Sequence, residues 1–169
     1  MDVETAIRTR RTHKAFAPQP LGPEPLGELL ELANWAPNHN LTVPWRFRVV
    51  GPDSLARLKL VAGREGAAKL DRAPTLVVVS CLLSGDPVQD EEDLHATAIT
   101  SYIVLLAAHA RGLAGYWRTP ALLRAEAGRA AVGLPPQERV VGLLHLGHPR
   151  QERPLPVRPG AGETITFLD

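Results

Sequence analysis

Thr75-Leu-Val-Val-Val-Ser-Cys-Leu-Leu83 is a continuous apolar run rich in β-branched residues. Such a run predicts a strand that is covered on both faces of a sheet. Further along the chain, Asp90–Arg111 predicts the longest helix, and Gly112 predicts its end. Residues 96–108 of this helix are apolar nearly all round, which indicates burial in the core or in a dimer interface.

Helices and strands are also predicted on both sides of this pair. The predicted helices cover 2–9, 25–35, a segment that starts at Asp53 or Ser54, and 121–132; the predicted strands cover 46–50, 114–117 and 140–146. A tail rich in Pro and Arg, residues 150–162, leads into Thr164–Leu168, whose alternation predicts a terminal strand. The pattern predicts an α+β fold, with helices around a mixed sheet, in a single domain over residues 1–169.

Composition and charge exclude several classes of protein. Apolar residues make up 44% of the chain and charged residues 22%, as in ordinary globular domains. The net charge of +1 gives no sign of a nucleic-acid surface or of a polybasic membrane anchor. We find no signal-peptide pattern and no apolar stretch that could span a bilayer. The single cysteine, Cys81, cannot form an intrachain disulfide. Because the sequence shows neither a targeting nor a membrane segment, we expect a cytoplasmic protein.

The first candidate motif is Arg10-Arg11-Thr12-His13-Lys14, directly after the first predicted helix. Four of these five residues can carry positive charge, and two guanidinium groups beside a hydroxyl suit a phosphate or a polyol. The alternative is a solvated basic turn. The chain has no Walker or dinucleotide-binding glycine loop, so any phosphate is expected to bind mainly to side chains.

The second candidate motif is the segment 34–45. It contains all three Asn of the chain, two of its three Trp, and two prolines. A stiff backbone that carries planar polar groups favours the wall of a pocket for a flat, hydrogen-bonding ligand. The alternative is an irregular loop anchored by its two tryptophans. His39 could be a general acid, a metal ligand or a hydrogen-bond donor, but the chain has no recognisable metal-ligand spacing and we predict no metal site.

The third candidate motif is Trp117-Arg118-Thr119, where a predicted strand leads into a helix. It can supply a second set of polar contacts to the same ligand. The alternative is simple packing of the Trp, with the Arg extended along the surface. The G-x-S-x-G motif of serine hydrolases is absent, so nothing indicates a serine nucleophile.

Together the three motifs resemble the nitroreductase family of flavin enzymes. The first is similar to the family's Arg-Arg-Ser/Thr opening, and the third to the Gly-x-x-Trp-Arg-Ser/Thr segment of its small single-domain subclass. Ala36-Pro37-Asn38 through Pro44-Trp45-Arg46-Phe47 resembles the family's central loop, and Val140–Pro149 resembles its late strand ending in Gly-x-Pro. The order and spacing of these segments hold over nearly the whole chain.

The resemblance implies an α+β homodimer with two FMN sites at the subunit interface and a C-terminal tail that extends onto the partner subunit. It also implies hydride transfer from NADH or NADPH to FMN, followed by reduction of a nitroaromatic or quinone-like acceptor in a ping-pong scheme. The flavin N5 would carry the hydride, so no protein side chain is expected to be catalytic.

The resemblance assigns cofactor contacts to nine residues. The residues expected to contact the FMN phosphate and ribityl chain are Arg10, Arg11 and Thr12, and Lys14 is expected near the flavin N1 and C2 carbonyl. Trp35 and His39 are expected to reach the flavin across the dimer. The remaining flavin contacts are expected from Trp117, Arg118 and Thr119. The segment 107–112 matches a part of the small subclass that is linked to nicotinamide cofactor binding.

Two departures from the family pattern leave the acceptor open. Val43 replaces a frequent Gln before the Pro-Trp pair, and Pro120 replaces a frequent Gly after the Trp-Arg-Thr triplet. Two other functions compete with the oxidoreductase. One is a flavin-binding relative with different flavin chemistry, such as dehalogenation or flavin destruction. The other is a non-catalytic dimer that stores or senses flavin.

Overall fold

The computed structural model describes residues 1–155 and 157–168. Its centre is a four-stranded sheet in the order β1-β2-β4-β3, flanked by helices. The strands are β1 (Trp45–Val49), β2 (Thr75–Leu82), β3 (Ala114–Arg118) and β4 (Glu138–Gly147), and the α-helices of the described residues are α1 (Val3–Thr9), α2 (Pro23–Ala33), α3 (Pro52–Leu70), α4 (Pro87–Ala110) and α5 (Glu126–Ala131). The predicted α+β fold is therefore confirmed.

The strand pairs of this sheet are antiparallel, so the mixed sheet expected from the sequence is not formed within one chain. The parallel pairing found in the described residues is a single bridge between Thr12 and Gly115. The predicted terminal strand is also not formed, because residues 164–168 lie outside the sheet, with Phe167 and Leu168 about nine-tenths exposed. In the described part of the chain these residues have no regular secondary structure, and the alternation of the sequence alone does not place them in a sheet.

The central strand β2 explains the continuous apolar run. Its residues 75–81 are all buried. Because side chains alternate across a strand, Val77 and Val79 pack with α2 and α4 on one face, while Leu76 and Val78 pack with α3 and α5 on the other. Each face of the sheet thus has its own apolar core.

Helix α4 is the longest helix of the described part and packs across one face of the sheet. It starts where the Asp86 carboxylate accepts hydrogen bonds from the N–H groups of Val88 and Gln89, at 3.0 and 2.9 Å. Gly112, with φ of 75°, follows its end. The helix buries one face, but Ile99 is 41% exposed. No helix of residues 1–155 and 157–168 is both long and apolar enough to cross a membrane.

The helix predicted over 121–132 is interrupted. A 3-10 turn, Ala121–Arg124, is followed by extended backbone at Ala125 and only then by α5. The break allows the backbone of α5 to pack directly against the 3-10 turn. A Cβ added at Gly128 would lie 1.9 Å from the Leu122 carbonyl oxygen. This close approach requires glycine and is a tertiary contact that helical periodicity does not reveal.

Candidate functional site

The structure gathers the first motif and the C-terminal tail around one cavity. Helix α1 ends at Thr9, the N–H of the following Arg10 donates to the Ala6 carbonyl at 2.9 Å, and the chain then runs along the outer edge of β3. The N–H of His13 donates to the Gly115 carbonyl at 3.1 Å. Beside this segment is a cavity of about 370 Å³ whose lining includes Arg10, Arg11, Thr12, Arg153, Leu155 and Arg158. We call it the arginine cavity.

Two guanidinium groups at this cavity have unused donors. Within the described residues, Arg10 Nε and Arg11 Nη1 are buried and have no hydrogen-bond partner. The Arg10 guanidinium carbon lies 5.6 Å from the centroid of the Tyr102 ring, and Arg11 Nε donates to the Arg153 carbonyl at 2.9 Å. A buried donor without a partner is unfavourable by about 1–3 kcal/mol. An anion with several acceptor oxygens, such as a phosphate, would satisfy these donors.

Histidines add little charge to the cluster. Burial lowers the pKa of His13, and the nearby charges of Arg153, His109 and Arg11 lower it further. Burial followed by the charges of Arg11 and Arg10 likewise lowers the pKa of His109. Of the four groups in the first motif that can carry positive charge, His13 is therefore the one that is mainly neutral at pH 7.

His13 and His109 line a second cavity of about 590 Å³, together with Arg11, Gly112 and Leu113. His109 Nε2 lies 2.8 Å from the Thr9 hydroxyl, which donates its single proton to the Thr5 carbonyl at 2.5 Å. The His109 Nε2–H must therefore be the donor to Thr9. Part of the segment 107–112, which the resemblance links to nicotinamide binding, thus borders a cavity that shares Arg11 with the arginine cavity.

Lys14 lies at the side of β3, outside the arginine cavity. Its side chain is exposed, and Nζ lies 6.0 Å from the centroid of the Tyr116 ring. This contact is a weak cation–π interaction that keeps the ammonium group near the strand. A positive charge is thus available beside β3.

The side chains of the third motif diverge, and none of them lines the arginine cavity. Trp117 packs against Gly142, and its Nε1–H donates to the Val141 carbonyl at 3.3 Å. Val141 lies at a bulge in the pairing of β2 with β4, so its carbonyl is outside the regular ladder. Arg118 borders a cavity of about 170 Å³ beside α3, and Thr119 is exposed beyond the end of the strand.

The second motif lies at the opposite end of α4. Trp35 is 84% exposed, and His39 Nδ1 lies 2.8 Å from a carboxylate oxygen of Glu92 near the start of the helix. From Glu92 to His109 the helix rises by about 25 Å at 1.5 Å per residue. One chain therefore does not bring Trp35 and His39 to Arg11. Of the two expected tryptophan anchors, only Trp45 is buried.

Sequence reasoning missed the tail arginines. Arg153 and Arg158 lie far from Arg10 in sequence but border the same cavity. The only available signal was the high content of Arg in a tail without a core of its own. Among residues 1–155 and 157–168, no group of three or more His, Cys, Asp or Glu side chains could hold a metal ion.

Comparisons with known proteins agree with these motifs. Residues 7–69 match the Nitroreductase family. The Escherichia coli (strain K12) protein YdjA, whose name places it with the NAD(P)H nitroreductases, is 30% identical over 164 residues, covering 88% of each chain.

Two solved structures share the fold. A nitroreductase-like protein from Bacillus cereus has a TM-score of 0.89 at 24% identity, covering 100% of this chain and 97% of that one. A structure from Desulfovibrio desulfuricans, described as a nitroreductase in complex with FMN, has a TM-score of 0.81 at 25% identity, covering 99% and 97%. With a relative at 30% identity over most of both lengths and the same fold, the chain belongs to the nitroreductase family.

Proposed function

We propose that residues 1–169 form a single FMN-binding domain that works as a cytoplasmic homodimer. As a member of the nitroreductase family the chain is an oxidoreductase. Its substrates would be NADH or NADPH and a nitroaromatic or quinone-like acceptor. The relative from Desulfovibrio desulfuricans, which was solved with FMN, supports this choice of cofactor.

The observation that carries the proposal is the set of unpartnered donors at the arginine cavity. Arg10 Nε and Arg11 Nη1 are buried without acceptors in the described part of the chain, and Arg158 borders the same space. We assign the FMN phosphate to these guanidinium groups and to Thr12. When bound, FMN supplies the redox chemistry, taking up a hydride from the nicotinamide and passing two electrons to the acceptor.

The remaining site residues are assigned to the flavin ring. Lys14 lies at the side of β3, where its positive charge can stabilise the anionic form of a reduced ring. Trp117, Arg118 and Thr119 would contribute mainly through their position at the end of β3. The cavity lined by His13, His109 and Gly112 is our candidate for part of the nicotinamide nucleotide site.

The homodimer follows from the separation of the two halves of the site. The side chains of Trp35 and His39 are directed to solvent at one end of α4, and the arginine cavity lies towards its other end. A partner subunit in a two-fold arrangement could supply the missing half to each site. The exposed apolar side chains of Ile99, Phe167 and Leu168 support such an interface.

Flavin binding tests the proposal directly. The purified protein should be yellow, or should become yellow after incubation with excess FMN and desalting, at about one FMN per subunit. Anaerobic addition of NADH or NADPH should then bleach the absorbance. Protein that stays colourless would refute the assignment, and yellow protein that neither nucleotide bleaches would favour a storage or sensor role.

Steady-state kinetics tests the order of the reaction. We propose that the nicotinamide nucleotide leaves before the acceptor enters the same space, so double-reciprocal plots should be parallel. Intersecting lines, with product inhibition that indicates a ternary complex, would exclude this ping-pong scheme. Turnover of a panel of nitroaromatics and quinones with each nucleotide would identify the preferred pair.

A further inference from the structure

The loop that carries His39 has an unusual backbone. Asn40, Leu41 and Val43 have positive φ angles of 55°, 52° and 46°. Asn tolerates this region, but a β-branched residue in it is an outlier. A non-Gly, β-branched residue in this region is strained and persists only where the surroundings enforce the conformation.

Burial within the same chain does not offset this strain. Leu41 is 80% exposed, Val43 is 45% exposed, and neighbouring Trp35 is 84% exposed. Packing of these side chains therefore does not account for the conformation of the loop.

A chain of hydrogen bonds holds the loop in this conformation. The Val43 N–H donates to Asn38 Oδ1 at 2.6 Å, and Asn38 Nδ2 donates to the Thr42 hydroxyl at 2.9 Å. The Thr42 hydroxyl in turn donates to Asp93 Oδ1 at 2.6 Å. Asp93 lies on α4, is only 2% exposed, and also accepts from Asn38 Nδ2 at 3.3 Å. The strained loop is thus attached to the rigid helix through one buried carboxylate.

The Asp93 carboxylate accepts hydrogen bonds from this loop and forms no ion pair with a described residue. Within residues 1–155 and 157–168, the ion pairs involve other acidic residues, and none involves Asp93. A buried carboxylate without a cationic partner is unfavourable unless its oxygens accept hydrogen bonds. Here the loop supplies two donors, both to Oδ1, so the loop and the carboxylate stabilise each other.

We propose that Asp93 is a positioning residue, which holds the loop 38–43 in its strained, outward conformation so that His39 can reach the flavin of the partner subunit. The flavin part of this inference rests on the proposed function, whereas the loop-holding part does not. Glu92 contacts the His39 side chain directly, with 2.8 Å between Glu92 Oε2 and His39 Nδ1. Asp93 acts indirectly, by fixing the backbone of the loop that carries His39.

The experiment compares three variants of the full-length protein. Asp93→Ala removes the acceptor, and Asp93→Asn keeps one carbonyl acceptor for Thr42 without the charge. Glu91→Gln is the matched control, because Glu91 is exposed on the same helix. Hydrogen–deuterium exchange of flavin-free protein measures the loop, and FMN titration with the visible spectrum of the bound flavin measures the site.

In Asp93→Ala we expect faster exchange in residues 38–43, with β2 and the centre of α4 unchanged. We also expect FMN to bind about tenfold more weakly, because a hydrogen bond to a charged group contributes about this much. The spectrum of the bound flavin should shift as the ring loses its contacts. Asp93→Asn should restore most of both properties, and Glu91→Gln should match the wild type.

Unchanged loop exchange in Asp93→Ala would overturn the loop-holding role. Faster exchange with unchanged FMN affinity and spectrum would overturn the link to the flavin. If the wild-type protein itself binds no FMN, the proposed function fails, and the exchange data still decide whether Asp93 holds the loop. Should Asp93→Ala not fold, Thr42→Val removes the donor of the same hydrogen bond. The expected and contradicting results for loop exchange and FMN binding are then those given for Asp93→Ala.

Discussion

The rings of Tyr116 and His145 are in contact, with centroids 5.5 Å apart and an interplanar angle of 38°. His145 is fully buried in β4, and in the described part of the chain neither ring nitrogen has a hydrogen-bond partner. Lys14 approaches the same Tyr116 ring at 6.0 Å. The second ring proton of a charged His145 would therefore have no hydrogen-bond acceptor among the described residues.

The first prediction concerns this histidine and pH. Burial, with the charges of Arg118 and Arg72, lowers the pKa of His145 from 6.5 to about 4. In this range His145 binds more protons in the unfolded chain than in the folded one, so its contribution to the free energy of unfolding falls as pH drops from 6.5 towards 4. At 1.36 kcal/mol per pKa unit, the full effect is about 3 kcal/mol.

His145→Leu removes the titrating group while keeping a buried side chain of similar size. Urea unfolding between pH 7.5 and 4.5 should show a smaller loss of stability for the variant than for the wild-type protein. Other groups contribute equally to both proteins and cancel in the difference. Parallel curves of unfolding free energy against pH would mean that His145 is not protonated on unfolding.

The second prediction concerns the packing of Trp117. A Cβ at Gly142 would lie 2.0 Å from Trp117 Nε1, so Gly142→Ala must displace the indole or shift β3. We expect destabilisation by about 1–3 kcal/mol, as for other overpacked cores. Gly27→Ala is the control, because a Cβ at Gly27 in α2 meets nothing within 4 Å. It should stabilise the protein slightly, by about 0.5–1 kcal/mol.

Trp117→Leu in the Gly142→Ala background should recover stability, since the shorter side chain relieves the clash. A double-mutant cycle by urea unfolding measures this coupling. Additive effects of the two substitutions would show that the Gly142 Cβ does not meet the indole. A fall in FMN affinity in Gly142→Ala alone would connect this packing to the site.

The central elements could be predicted from the sequence because their signals are local and strong. The β-branched run of β2 and the long apolar helix α4 each determine their own structure, and burial on both faces of β2 follows from its composition. The Arg10–Thr12 cluster was also recognisable, because its charges are adjacent in the chain.

Other features depend on contacts between distant segments. The break at Ala125 arises where Gly128 approaches the Leu122 carbonyl, and the arginine cavity forms only when Arg158 folds back towards α1. No spacing in the sequence indicates either contact. The distance of Trp35 from the arginine cavity likewise follows from the course of α4 and not from the motif itself.

The third prediction tests the arginine cavity. Arg10→Ala and Arg158→Ala should each weaken FMN binding by about one to two orders of magnitude, as expected for a charge-assisted contact to phosphate. Arg64→Ala is the matched control, because Arg64 is exposed on α3. Fluorescence titration gives the three dissociation constants. Equal values for Arg10→Ala and Arg64→Ala would contradict the phosphate assignment.

The fourth prediction separates two roles of the tail. The first part of the tail contributes Arg153 and Arg158 to the arginine cavity, whereas the last part exposes Phe167 and Leu168. Truncation after Pro149 removes both parts, and truncation after Gly162 removes only the second. We expect the longer truncation to abolish FMN binding and the dimer together, since it removes the proposed phosphate contacts and the exposed apolar residues of the proposed interface.

The shorter truncation should weaken the dimer but keep the arginines of the cavity. Its FMN affinity should therefore recover when the protein concentration is raised, because a shared site forms only in the dimer. Size-exclusion chromatography and FMN titration over a range of protein concentrations measure both properties. A dimer with undiminished FMN affinity after truncation at Pro149 would show that the tail is dispensable, and a full-length monomer with bound FMN would rule out a site shared between subunits.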